Sequence, residues 1–237
     1  MLDVQNKLES IDWERVSEAM HNKGYAVVPG VFSKVHCQHF IDQYDNSTAY
    51  RKTVVMERYR FGRGEYKYFA YPLPDIIQRI RETVYPKLVP IANLWMNQLE
   101  IDKQFPLTYQ SLLAECKANQ QLKPTPLILK YGRGDFNTLH QDLYGEVYFP
   151  MQAVFLLNDP TTDFSGGELV LTQQTPRAQS KAMVVNLKLG DMVIFTTYFR
   201  PVRGTRGYYR APMKHGVSEV HSGQRHTLGV IFHDATS

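Results

Sequence analysis

After Pro124 and Pro126 the sequence breaks into short apolar runs, each closed by glycine, asparagine, aspartate or proline. Leu127-Ile128-Leu129-Lys130-Tyr131 comes first, followed by the turn-prone Gly132-Arg133-Gly134-Asp135. Residues 151–157 form a second run, ended by Asn158-Asp159-Pro160. Gly166-Gly167 opens a third at 168–172, the runs 183–187 and 192–196 flank a tight turn at Gly190-Asp191, and 226–232 is the last. Runs this short fall far below the roughly 18 apolar residues of a membrane-spanning helix. A series of them separated by turn residues predicts strands that fold into a sandwich or barrel.

The first half reads differently. Ser10 is placed to cap a helix with Asp12 and Glu14 in its first turn, where the helix dipole favours carboxylates. Gly24 is a fitting stop for it. Tyr25-Ala26-Val27-Val28 reads as a strand ended by Pro29-Gly30, and Ser33 as the cap of a second helix with Cys37, Phe40, Ile41 and Tyr44 on one face. From Arg51 to Tyr71, basic and aromatic residues interleave; such a segment could contact phosphates and stack on bases, but period-two alternation equally predicts the favoured reading, a twisted hairpin with rings inward and charges outward. Ile76, Ile77, Ile80 and Val84 return to helical spacing, but Pro86 and Pro90 predict two helices or a sharp kink before Leu99. A further helix is expected over 108–118, with Leu112, Leu113 and Cys116 inward. The predicted fold is therefore a jelly-roll β core backed by helices. Residues 1–124 would be mainly helical support with an early strand, 125–237 the core, and 1–237 one domain.

With 237 residues, 43% of them hydrophobic and 21% charged, the chain can bury a sizeable core. Cys37 and Cys116 lie far apart with no C-x-x-C spacing, so both are expected to pack as small apolar side chains in a reducing compartment. The first ten residues lack a basic stretch followed by an apolar run, and no segment approaches the length of a membrane span. The expected location is the cytoplasm, away from membranes.

His140-Gln141-Asp142 carries the chemistry. On a strand, residues two apart project to the same face, so His140 and Asp142 would reach one metal while Gln141 points away. His215, just before Gly216, is well placed in strand order to supply a third ligand. Two imidazoles and one carboxylate leave open positions, as a non-haem Fe(II) oxygenase requires. Arg225, on the strand after His215, is where a dicarboxylic co-substrate would be gripped, since a guanidinium fork binds a carboxylate bidentately. A structural zinc site prefers four closed ligands, often thiolates, and no cysteine is near.

Most of residues 125–237, from PTPLILKYGRGDFNTLHQDLYGE through NDPTTDFSGGELVL and LKLGDMVIF to HGVSEVHSGQRHTLGVIFHD, resembles the 2-oxoglutarate/Fe(II) dioxygenase superfamily. More narrowly, it resembles a bacterial family described as oxidative dealkylation of damaged DNA, an AlkB-type activity. The early GYAVVPGVFS is similar to the opening strand and helix of prolyl-hydroxylase-like members. The resemblance implies a double-stranded β-helix and, as cofactor and co-substrates, Fe(II), 2-oxoglutarate and O2. It implies hydroxylation of a C–H bond with release of succinate and CO2. It carries the iron triad onto His140, Asp142 and His215, and the co-substrate anchor onto Arg225. Thr227, on the same strand face as Arg225, and Tyr131, as a phenol beside the co-substrate or as a core tyrosine, complete the expected set. His221, His226 and His233 match no ligand position.

The segment Tyr198 to Lys214 holds five cations and no acid, interleaved with aromatic residues, and leads straight into His215. Read as a loop at the mouth of an iron site, its Arg203, Arg206, Tyr208 and Arg210 would contact a phosphate-bearing, base-flipped substrate; the open alternatives are that these arginines recognise an acidic peptide or simply solvate a long hairpin. Single-stranded or damaged nucleic acid is thus the leading partner. A peptide hydroxylated in the manner of prolyl hydroxylases is the alternative, a small molecule ranks behind it, and a jelly-roll binding module without catalysis is a further reading.

Overall fold

The computed structural model describes residues 2–237. Five helices, α1 (Leu2–Glu9), α2 (Trp13–Lys23), α3 (Lys34–Asp42), α4 (Asp75–Gln98) and α5 (Tyr109–Ala118), accompany fifteen strands. The strands are β1 (Tyr25–Val28), β2 (Tyr50–Val55), β3 (Gly62–Arg63), β4 (Glu65–Phe69), β5 (Leu127–Tyr131), β6 (Phe136–His140), β7 (Met151–Leu156) and β8 (Phe164–Gly166). They continue with β9 (Leu169–Gln173), β10 (Lys181–Val185), β11 (Met192–Thr196), β12 (Phe199–Gly204), β13 (Gly207–Val217), β14 (Val220–Gly223) and β15 (Arg225–Ile231). A seven-stranded sheet runs β1-β11-β7-β15-β5-β4-β2, and a six-stranded sheet β10-β9-β13-β6-β3, with β12 paired to β13. This is the jelly-roll arrangement expected, open at the sheet edges rather than closed into a barrel.

Alternation along the central strands explains why both faces of the larger sheet are buried. Met151, Ala153 and Phe155 of β7, with Leu228 and Val230 of β15, join one apolar cluster with Ile77, Ile80, Val84, Leu88 and Trp95 of α4. The intervening Gln152 and Val154, with Arg225, Thr227 and Gly229, face the smaller sheet and line a cavity. Leu156, Val193 and Phe195 pack there against Leu169, Leu171 and Met213. Burial of this kind contributes about 25 cal/mol per Å² of apolar surface, so the helices and the second sheet hold the strands that carry the site.

Several local expectations are corrected. Asp12, not Ser10, caps α2 by accepting from Arg15 N, while Ser10 donates to Lys7 O at the end of α1. Gly24 stops α2 at φ 79° as expected, and Ser33 caps α3. Pro86 and Pro90 lie inside one continuous helix of 24 residues. Both prolines are exposed, so the carbonyls they leave unpaired are on the wet face, while the opposite face is held by its apolar packing. The first half also supplies more sheet than expected, since β2 and β4 extend the larger sheet beside β5. Cys37 and Cys116 are free and buried, as read.

Candidate active site

β13 and β6 run antiparallel with His215 directly opposite His140, which brings the two rings to 4.1 Å between centroids. β6 ends at His140, so Asp142 is not on the strand as the H-x-D spacing predicted; it lies in the segment that follows. Gln141 fixes that segment from the far side, its amide donating to Tyr198 O at 2.7 Å and Met213 O at 2.8 Å. Asp142 thereby turns back onto the imidazoles, at 3.5 Å from His140 Nε2 and 3.1 Å from His215 Nε2. The three donor atoms all lie within 4.8 Å of one another. Metal–ligand bonds of about 2.1 Å at right angles separate adjacent donors by about 3.0 Å, so the donor set fits one octahedral ion with a carboxylate and two imidazoles.

The surroundings set the protonation states such a centre needs. His140 Nδ1 faces Thr138 O at 2.7 Å, which leaves Nε2 directed at the other donors. Burial, aided by the neighbouring His215, lowers the His140 pKa and favours the neutral ligand form. Burial alone would raise the Asp142 pKa, but His215, His140 and a 2.9 Å hydrogen bond donated by Tyr144 hold it well below the usual carboxylate range. Gln152 Nε2 lies 3.3 Å from His215 Nε2. His215 Nδ1 is buried without a partner among the described residues, which departs from the usual orienting hydrogen bond on a ligand's second nitrogen.

Across the same cavity, of about 230 Å³, stands Arg225. It is 3% exposed, and its Nε and Nη1 have no partner among the described residues. Burial lowers its pKa to about 10, which still leaves it charged at neutral pH. Tyr131 is its cross-strand partner, with the guanidinium 5.6 Å from the ring centre. Burial raises the Tyr131 pKa to about 12, so its hydroxyl stays protonated. The Gly-Gly pair before β9 makes room for the arginine. Gly167 has φ +65°, and a β-carbon there would stand 2.9 Å from Arg225 Cδ. A buried, unpaired fork facing a triad of ligand atoms fits a dicarboxylate such as 2-oxoglutarate. Thr227 lines the cavity beside it, and Leu127, Leu129, Val154 and Phe195 make its walls apolar.

The structure thus brings His140, Asp142, His215, Arg225, Thr227 and Tyr131 around one cavity. Arg203, Arg206, Tyr208 and Arg210 are not among its lining residues. Their segment is no loop but the β12–β13 hairpin, with Arg203 opposite Tyr208 near its tip. Seven residues of extended β13 separate Tyr208 from His215, roughly 23 Å, so the cationic end lies far from the ligands. Arg200 is buried, donating to Gln173 and to His21 O. His226 faces the helices beside Asn158, and His233 accepts from Phe149 N, so neither is a ligand. Sequence reasoning missed Gln152 and Tyr144. A lone glutamine in the apolar run MQAVFL was the available signal for the first; nothing marked Tyr144 beyond its position two residues after Asp142.

Comparison with known proteins agrees with this geometry. Residues 64–235 match the model of a family described as oxygenases catalysing oxidative methylation of damaged DNA. A Mycobacterium tuberculosis protein of uncharacterised activity is 47% identical over 167 residues, covering 70% of this chain and 72% of its own. Among solved structures, a Pseudomonas putida prolyl-4-hydroxylase has a TM-score of 0.55 at 12% identity, covering 94% of this chain and all of its own. A Trichoplax adhaerens prolyl hydroxylase in complex with a hypoxia-inducible-factor peptide has 0.57 at 12%, covering 99% and 93%. A Burkholderia pseudomallei oxidoreductase of the 2-oxoglutarate/Fe(II) oxygenase family has 0.53 at 12%, covering 96% and 95%. The structural likenesses show the fold, and the match over residues 64–235 shows the family: the chain belongs to this family of oxygenases, built on the 2-oxoglutarate/Fe(II) oxygenase fold.

Proposed function

We propose that the protein hydroxylates an N-alkyl carbon on a nucleic-acid base, with Fe(II), O2 and 2-oxoglutarate, so that the alkyl group is lost as an aldehyde. The observation that carries this reading is the unpaired, buried Arg225 facing the His140–Asp142–His215 cluster across one cavity. The substrate class rests on the family's description. Bound iron supplies the oxidation of a C–H bond by O2, coupled to conversion of 2-oxoglutarate to succinate and CO2. His140, Asp142 and His215 would hold it. Arg225 would pair with the distal carboxylate of 2-oxoglutarate and Thr227 would add a hydrogen bond. Tyr144 keeps Asp142 ionised and oriented, Thr138 O fixes His140, and the apolar walls keep water from the reacting carbon. We read residues 1–237 as one domain, because a single apolar cluster joins Val4 of α1 to Phe232 after β15. No helix among the described residues is long and apolar enough to cross a membrane.

The test compares 2-oxoglutarate turnover with N-methylated single-stranded DNA, N-methylated RNA and a proline-containing peptide library. Methylated DNA or RNA should stimulate succinate release and lose its methyl group as formaldehyde. Stimulation by peptide alone would overturn the nucleic-acid reading and favour a protein hydroxylase. No anaerobic charge-transfer band with Fe(II) and 2-oxoglutarate would overturn the co-substrate assignment.

A further inference from the structure

The chain between β2 and β4 reaches the cavity in an unusual way. Its short 3-10 turn, Met56–Tyr59, and the following Phe61 present two large rings to solvent, Tyr59 at 55% and Phe61 at 45% exposure. The rings stack on each other, 5.5 Å between centroids and 18° from parallel. Phe61 also lines the cavity, so the pair runs from its rim outward. Exposing two stacked rings forfeits the stabilisation that burial would give, and the backbone is nonetheless fixed there.

That fixing comes from the strand carrying His140. β3 pairs with β6 through Gly62–Asn137 and Arg63–Phe136, and the Thr138 amide and hydroxyl both donate to Phe61 O. Gly62 permits the approach: at φ +129°, an added β-carbon would lie 2.3 Å from Phe136 O. The rings are therefore held in register with the strand that ends at His140. Arg58 and Arg60 flank Tyr59, are exposed, and have no carboxylate partner among the described residues. Arg63 pairs with the one acid of the segment, Glu57, at 3.1 Å. Its Nη1 also lies within reach of Gly134, beside the exposed Arg133.

We propose that Tyr59 and Phe61 form a stacking platform for the bases next to the one entering the cavity, with Arg58 and Arg60 on the flanking phosphates. This rests on the nucleic-acid reading above and names the surface that would deliver it. The chemistry matches single strands: each base has a π-face that stacks on an aromatic ring irrespective of sequence, and cations beside the rings follow the backbone. An acidic peptide would satisfy the arginines but leave the stacked rings without a planar partner.

Anisotropy of a fluorescein-labelled single-stranded DNA of about 12 nucleotides, with iron-free protein, tests the platform without calling on turnover. The Tyr59→Ala/Phe61→Ala variant should bind about tenfold or more weakly than wild type. The Arg58→Gln/Arg60→Gln variant should weaken binding at low salt and reduce the slope of log Kd against log salt by about 1.4, two single-strand phosphate contacts. Circular dichroism melts of both variants should match wild type, since all four side chains are exposed. Wild-type binding with neither variant altered overturns the platform while leaving a nucleic-acid substrate in place. Failure of wild type to bind the strand overturns both. Binding of a proline-containing peptide that the ring variant loses would reassign the platform to protein.

Discussion

Arg225 makes two opposed predictions, and one substitution tests both. The side chain is buried at 3% exposure with Nε and Nη1 unpaired, a cost to the folded chain that binding of a dicarboxylate would offset. Its pKa falls to about 10 chiefly by burial, an unfavourable charge burial on the order of 3 kcal/mol. Arg225→Met keeps an unbranched chain of similar reach and removes the charge. The metal-free variant should therefore be more stable by about 1–3 kcal/mol, as when buried ions are replaced by apolar residues of similar volume. For a chain of this length that raises Tm by about 2–12 °C. Co-substrate binding should move the other way, weakening by about 2–5 kcal/mol, or some 30- to several-thousand-fold. Differential scanning calorimetry reads the first and anaerobic titration of the Fe(II) protein with 2-oxoglutarate the second. Arg225→Lys should keep the buried charge but lose the fork, giving weak binding without the gain in stability. A less stable Arg225→Met with an unchanged dissociation constant would refute the reasoning, for it would make Arg225 a structural residue.

His140→Ala and Asp142→Ala should each abolish succinate formation with an unchanged far-ultraviolet spectrum; retained turnover would remove the triad assignment. Tyr144→Phe deletes the 2.9 Å hydrogen bond to Asp142 and should weaken Fe(II) affinity about tenfold or more in a competition titration with a chelating dye. Arg81, fully buried and 2.8 Å from Asp234, should cost about 3–5 kcal/mol as Arg81→Ala, read by urea unfolding, because Asp234 is left buried without a counter-charge, keeping only the hydrogen bond that Tyr71 donates. Burial lowers the His226 pKa to about 4 and the His233 pKa to about 3. The unfolded chain takes up these protons near pH 6.5 while the folded chain resists, so stability is fully present above that pH. It should fall by about 1.4 kcal/mol per pH unit for each histidine as pH drops toward 4, and unfolding midpoints that stay constant from pH 7 to pH 5 would contradict this.

Local patterning was readable where one physical period dominates. Apolar runs bounded by turn residues located β5, β7, β9, β10, β11 and β15 to within a few residues, and Arg225 and Thr227 fell on one face while His226 fell on the other. Where tertiary packing overrides local preference the reading failed. Pro86 and Pro90 argue against a continuous helix, yet α4 persists because both face water and the opposite face is buried. Asp142 reaches His140 after the strand has ended, because Gln141 is tied to Tyr198 and Met213, residues more than fifty positions away. No local pattern encodes that tie.

The metal cluster is far more legible in the sequence than the substrate surface, and the difference has a physical origin. The residue types of the ligand cluster and the strand positions of His140, His215 and Arg225 survive in the linear sequence, even though the placement of Asp142 depends on the Gln141 tie. A nucleic-acid surface is specified by where exposed rings and cations lie relative to a cavity, and composition alone leaves that open. The chain has two such segments. The one adjoining His215 in sequence is carried away along an eleven-residue strand, while the one at 58–63, some eighty positions before His140, is brought to the rim by β3–β6 pairing. Proximity to a ligand along the chain and register across the sheet thus point to different segments, and the proposed platform is the one that register brings to the rim. If the rim assignment is right, neutralising Arg203, Arg206 and Arg210 together should leave the affinity of the ring platform for single strands within about twofold at physiological salt, where charges farther than about 8 Å apart are screened. A loss as large as that from Tyr59→Ala/Phe61→Ala would mean that the strand runs the length of the hairpin instead.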